Sequence, residues 1–225
     1  GGNASSFKHS PWNFRHFILG AIGIFIYVGV EIGIPGTLNF YLADISDKGA
    51  GLNPDVAAGI AGFVAGTYWF LMLIGRFIGG IIGGKVSSKA MLTSVSATGI
   101  LLVTIAILLP REITTSMPVF TGSSFSLVQV PLTALLLVLC GLCTSIMWGG
   151  IFNLAVEGLG KYTAAASGIF MMMVVGGGIL PLVQNWIADI STYQASYLVI
   201  IAGLAYMLWY ALIGCKNVNK DIPVE

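Results

Sequence analysis

Charge is what this sequence has least of. Only 8% of its 225 residues are Asp, Glu, Lys or Arg, against 56% hydrophobic, where a soluble domain carries about 25% charged residues. So few cannot cover a water-facing surface, and the mean hydropathy of +0.92 points to an integral membrane protein. The formal net charge of +1 gives no strong attraction for nucleic acid or acidic ligands. Histidine is also scarce: His9 and His16 both sit at the N-terminal edge. A buried nucleophile would have no base to pair with, which argues against an intramembrane enzyme and leaves no catalytic residue to assign. Of the three cysteines, Cys140 and Cys143 form a CxxC inside an apolar run with no second pair beside it. A zinc site needs four converging ligands, so the pair reads as small residues on a packed helix face, and neither metal nor cofactor is implied.

Long apolar runs are what the sequence does have. A bilayer core of about 30 Å takes roughly 20 apolar residues per helix, and six such runs appear, at about 16–43, 56–83, 90–109, 130–155, 162–187 and 193–214. They do not alternate polar and apolar residues as barrel strands do, so the fold class is all-α membrane. Residues 1–15 are polar, with no initiator Met, and read as a linker or expression remnant rather than a signal peptide. Residues 215–225 read as a tail. With six spans both ends share a side, and that side collects Lys8, Arg15, Arg76, Lys85, Lys89, Lys161, Lys216 and Lys220, leaving Lys48 and Arg111 on the other. The positive-inside rule then puts both termini in the cytoplasm, and the sequon Asn3-Ala4-Ser5 is there by chance. The end of span 1, LNFYLAD, is similar to the end of span 4, IFNLAVEG, and each precedes an Ala/Gly-rich opening. That register suits a 3+3 inverted repeat. Glycine is abundant, and Gly59, Gly62, Gly66, Gly176, Gly177 and Gly178 are expected to let helices approach closely.

A few polar groups lie inside these runs. A charge at mid-bilayer costs about 2.5–3.5 kcal/mol on insertion scales, yet Glu31 sits near the centre of span 1. At helical spacing Tyr27, Pro35 and Asn39 fall within about 80° of it, so one face of span 1 is polar and should look into a cavity. Pro35 and Pro181 are candidate helix breaks, because proline removes a backbone hydrogen bond. Glu31 serves either substrate and proton handling or a structural role as a buried carboxylate. Tyr68, Trp69, Asn153, Gln184 and Asn185 add amides and aromatic rings, the groups that bind hydroxyl-rich ligands, although helix–helix bonding also uses them. Gly79-x4-Gly84-Lys85 mimics a Walker A loop, but Val86 stands where Ser or Thr is needed and no strand precedes it. Arg76 either snorkels to the surface or pairs with an acid such as Glu157.

IGRFIGG followed by a short basic loop resembles the loop motif between the second and third helices of each half in the major facilitator superfamily. YVGVEIGIPGTLNFYLAD, TYWFLMLIGRFIGG, FNLAVEGLGKYT and GGGILPLVQNWIAD resemble the C-terminal half of bacterial glucose/galactose and fucose proton symporters, over nearly all of residues 16–214. The resemblance implies proton-coupled hexose uptake by alternating access across the bacterial inner membrane. It implies Glu31, Asn39, Tyr68, Trp69, Asn153, Gln184 and Asn185 as cavity or gating positions. Arg76 and Lys85 match the cytoplasmic-loop motif, with Glu157 and Lys161 in the corresponding loop of the second repeat. Family members carry twelve helices and this chain six, so its expected partner is an N-terminal six-helix half or a second copy of itself. The alternative is a non-transporting subunit that only docks on an N-terminal half.

Overall fold

In the computed structural model, residues 8–225 are described; Asn3-Ala4-Ser5 lies outside them. Six segments are long and apolar enough to cross a membrane: Arg15–Ala43, Ala57–Ile82, Ser88–Leu108, Leu132–Val156, Gly160–Ile190 and Tyr193–Gly214. The first three are single helices, α1, α2 and α3. The fourth is split into α4 (Leu132–Thr144) and α5 (Met147–Val156), and the fifth into α6 (Thr163–Met172) and α7 (Gly176–Ile190), joined by a 3-10 turn at Met173–Val175. The last is α8 (Tyr193–Trp209), closing in a π-helical turn.

Helices satisfy their own backbone polar groups, so each can stand in lipid. What brings them together is the packing of small and aromatic residues. α1 lies at the centre of the bundle with 61% of its most apolar stretch buried, whereas the fifth span is only 17% buried. α1 packs on α7 as α4 packs on α2, and α3 packs on α8. This is the exchange expected of two three-helix units related by a two-fold axis, and the architecture is a six-helix, 3+3 bundle.

Three expectations change at this level. Neither proline breaks its helix: α1 runs unbroken through Pro35 and α7 through Pro181. A proline removes one hydrogen bond, here the one to the Glu31 carbonyl, and α1 runs on with that single bond missing; the Tyr197 hydroxyl donates nearby, to the Ile34 carbonyl, at 2.7 Å. The breaks fall instead at Ser145–Ile146 and Met173–Val175. Secondly, the glycines divide. A Cβ on Gly59, Gly62, Gly66 or Gly178 would meet open space, while one on Gly176 would run into the Phe25 backbone and one on Gly177 into Val28 and Ile32. The small-residue face of α2 is therefore not a contact within this bundle, and its close approaches come lower, at Gly75 and Gly79 against Ser145 and Ile146.

Thirdly, the loop before span 4 holds an antiparallel hairpin of β1 (Thr114–Phe120) and β2 (Phe125–Pro131). Alternation buries Met117, Val119 and Val130. The Phe120 N–H donates to the Thr67 hydroxyl at 2.9 Å, and Phe70 stacks on Phe120 at 4.5 Å, fastening the hairpin to α2.

Candidate functional site

Glu31 sits half-way along α1 with its side chain 16% exposed, and Arg76 of α2 reaches it, Nη2 to Oε1, at 3.3 Å. Arg76 therefore pairs with Glu31 and not with Glu157. Its own side chain is 57% exposed on the open face of the bundle. Trp69, two turns earlier on the same face of α2, is also exposed, and its ring stands edge-on to Tyr68 at 5.3 Å.

Beneath this pair is a junction of three helices. The Tyr27 hydroxyl, one turn before Glu31 on α1, donates to the Thr144 carbonyl at 3.0 Å. The Tyr68 hydroxyl of α2 shares a 2.8 Å hydrogen bond with the Thr144 hydroxyl. Thr144 is the last residue of α4, where the helix break frees a carbonyl that needs a donor. Two tyrosines from neighbouring helices thus stitch the break in span 4 and hold Tyr27 within reach of both Glu31 and Arg76. Thr144 and Ser145 are the residues that sequence reasoning missed. The only hint is the run of small residues in TSIMWGG.

The break shapes a cleft of about 410 Å³ on the side of the bundle that carries both chain ends. Arg76, Gly80, Ser145, Trp148, Gly149 and Asn153 line it. Asn153 is exposed and donates to the Ser88 hydroxyl at 3.2 Å. Trp148 stacks on Phe152 at 5.4 Å. A guanidinium, an indole and an amide around one cleft can bind a polar, ring-shaped solute.

The other candidates lie elsewhere. Tyr68 is fully buried at the junction. Gln184 is also fully buried, against Gly33, and neither amide atom has a hydrogen-bond partner among the described residues. Asn39 is half-buried towards the far end of α1. Asn185 lines a separate cleft of about 450 Å³ at that end, with Phe40, Asp44 and Tyr193. In the connecting loops, Lys85 and Glu157 are exposed. The Glu157 carbonyl accepts from His16 Nε2 at 2.7 Å, and the Lys161 N–H donates to the Val224 carbonyl at 3.0 Å.

Asp44 anchors the far cleft. Hydrogen bonds from Ser46 hold its carboxyl below the usual carboxylate range, helped by the Tyr193 hydroxyl at 2.8 Å. A depressed carboxyl stabilises the fold above its unfolded pKa of about 3.9, and that contribution disappears as pH falls through the folded value. Asp44→Asn is accordingly expected to lower the Tm at pH 7, with the gap from the parent narrowing as pH falls below the unfolded value and through the folded one. Thermal unfolding in detergent over a descending pH series checks this.

No family model matches the chain. It is 34% identical over 208 residues to a glucose/galactose transporter of Brucella abortus, covering 92% of this chain and 44% of that protein. A putative glucose/galactose transporter of Helicobacter pylori is 31% identical over 93% of this chain and 46% of its own length. The L-fucose-proton symporter of Escherichia coli is 26% identical over 78% of this chain and 34% of that protein. The chain thus spans about half the length of the curated relatives it matches. Among solved structures, the major facilitator superfamily transporter FucP in its outward conformation superposes with a TM-score of 0.70 at 21% identity, over 89% of this chain and 42% of that one.

Proposed function

The chain is a half-length relative of bacterial glucose/galactose transporters, with the fold of half a major facilitator superfamily transporter, and on that premise we propose that it forms the C-terminal half of a proton-coupled hexose carrier. The observation that carries the reading is the Glu31–Arg76 pair, 3.3 Å apart on the open face of a membrane bundle. An ion pair is a costly thing to hold between transmembrane helices, and such groups mark substrate and ion pathways. Around it stand the indoles of Trp69 and Trp148 and the amide of Asn153, suited to stacking on a sugar's C–H face and bonding its hydroxyls.

Six helices offer one wall of a pathway. The opposite wall comes from an N-terminal six-helix half, and the exposed face of α2, with Gly59, Gly62, Gly66, Trp69 and Arg76, is where that half would sit. The excess of lysine and arginine on the side of the termini supports an inner-membrane protein with both ends in the cytoplasm. Alternating access then consists of one half rocking against the other around the site.

The test is hexose uptake into proteoliposomes under an imposed pH gradient, with the chain alone and with the N-terminal half of a matching transporter. Uptake is expected only with both halves present. Uptake by the chain alone would replace the N-terminal partner with a second copy. Silence in both arms would overturn the carrier reading in favour of a non-transporting subunit.

A further inference from the structure

A further cleft opens beside the one lined by Arg76 and Trp148 and shares Ser88 and Asn153 with it. It measures about 990 Å³ and lies at the end of the bundle that carries both termini. One wall is the start of α3, with Ser88 and Lys89; another is the end of α5, with Asn153 and Glu157; the third is the C-terminal segment, with Lys216 and Lys220. That segment is not loose. Asn219 Oδ1 accepts from the Arg15 N–H at 2.8 Å, the Val224 carbonyl accepts from the Lys161 N–H at 3.0 Å, and Ile222 and Val224 pack against the core. It forms a strap across the helix ends and gives the cleft a built side.

The lining is basic and apolar at once. Three lysines face a single carboxylate, that of Glu157. Beside them Leu212 and Ile213 lie 50% and 59% exposed at the end of the last span. Ammonium groups above bare aliphatic side chains, at the mouth of a helix bundle, match an amphiphile whose anionic head sits at the membrane surface and whose chain runs down the helix. Basic pockets between transmembrane helices bind phospholipid headgroups by this chemistry. Exposed lysines serve phosphate as point charges on flexible stems.

We infer that this cleft binds a phosphate-bearing anion through Lys89, Lys216 and Lys220, and the apolar flank favours an anionic phospholipid as its source. Occupancy would tie the strap to α3 and α5 whether or not the chain carries sugar, so the inference stands apart from the transport reading.

Native mass spectrometry of the detergent-purified chain tests it, with phosphatidylglycerol, phosphatidylcholine and inorganic phosphate titrated separately. Phosphatidylglycerol is expected to bind at least about tenfold more tightly than phosphatidylcholine. The preference should vanish in the triple variant Lys89→Gln, Lys216→Gln, Lys220→Gln. It should survive in the corresponding triple arginine variant and in Lys85→Gln, whose lysine lies outside the cleft. Circular dichroism confirms that each variant keeps its helices, and Lys216→Gln alone replaces the triple glutamine variant if it does not. Inorganic phosphate binding lost in the same variant, without a lipid preference, would assign the site to free phosphate. Equal retention of the two lipids without phosphate binding, or a preference unchanged by the glutamines, would overturn the inference.

Discussion

Glu31→Gln is expected to destabilise the bundle more than Glu31→Gln combined with Arg76→Gln. The single change leaves a guanidinium on a transmembrane helix with no carboxylate opposite. An unpaired arginine at the centre of a membrane helix costs about 2.5–3.5 kcal/mol on insertion scales, an upper bound for Arg76, which lies towards the end of α2. Arg76 is 57% exposed on the open face, so water and neighbouring headgroups recover part of that cost. Removing both charges takes away the attraction and the penalty together, which is why replacing a whole ion pair is often close to neutral while breaking one is not. Thermal unfolding of the four forms in detergent gives the coupling energy directly. Additive effects would mean that the pair does not act as a unit.

The same substitution bears on coupling. Gln mimics a protonated Glu, so under the proposed carrier reading Glu31→Gln tests whether Glu31 takes up the coupled proton. The groups that face Glu31 are Arg76 from α2 and Tyr27 from its own helix, with Tyr68 beyond. Without the carboxylate, Arg76 keeps the Tyr27 hydroxyl beside it and can turn to the cleft of Ser145, Trp148 and Asn153. In an assembled carrier Glu31→Gln should therefore lose gradient-driven accumulation by at least about tenfold, about 1.4 kcal/mol, while sugar exchange without a gradient persists. Loss of both would make Glu31 a structural carboxylate.

The membrane architecture was legible because it rests on one strong signal, apolar runs above the length that a bilayer demands. The polar face of α1 was legible for a similar reason: helical spacing places Glu31 and Tyr27 together whatever surrounds them. Its partner was not, since nothing local to IGRFIGG distinguishes an arginine that snorkels from one that reaches across to another helix. The breaks in spans 4 and 5 escaped for the opposite reason. Proline is the obvious punctuation, but Pro35 and Pro181 sit in continuous helices, and the break in span 4 occurs where a side chain on another helix satisfies the freed carbonyl, as Tyr27 does for Thr144. The hairpin hid in a loop broken by Pro118, although GSS between two alternating runs is a turn signal. Glycine was legible as a residue suited to close packing and illegible as to which neighbour it packs on.

That last distinction gives a measurable contrast along the α1–α7 seam. Gly29 of α1 lies against Leu180, Gly33 against Gln184, and Gly176 of α7 against the Phe25 backbone. A Cβ on Gly176 would strike the Phe25 carbonyl oxygen, and a backbone atom in the central helix cannot rotate aside as a side chain does. Gly176→Ala should force the helices apart and cost about 1–3 kcal/mol, the usual range for overpacking a filled interface. At about 2–4 °C per kcal/mol for a chain of this size, the Tm should fall by roughly 2–12 °C. Gly178→Ala, two residues along the same helix, adds a Cβ to open space, and alanine's better helix propensity makes it neutral or stabilising by up to about 1 kcal/mol. Equal effects at the two positions would mean that the seam is loose. The seam also buries the Gln184 amide without a partner, an unfavourable arrangement for a polar group. The close fit of this seam therefore comes from shape, through Gly29, Gly33 and Gly176, and not from the Gln184 amide.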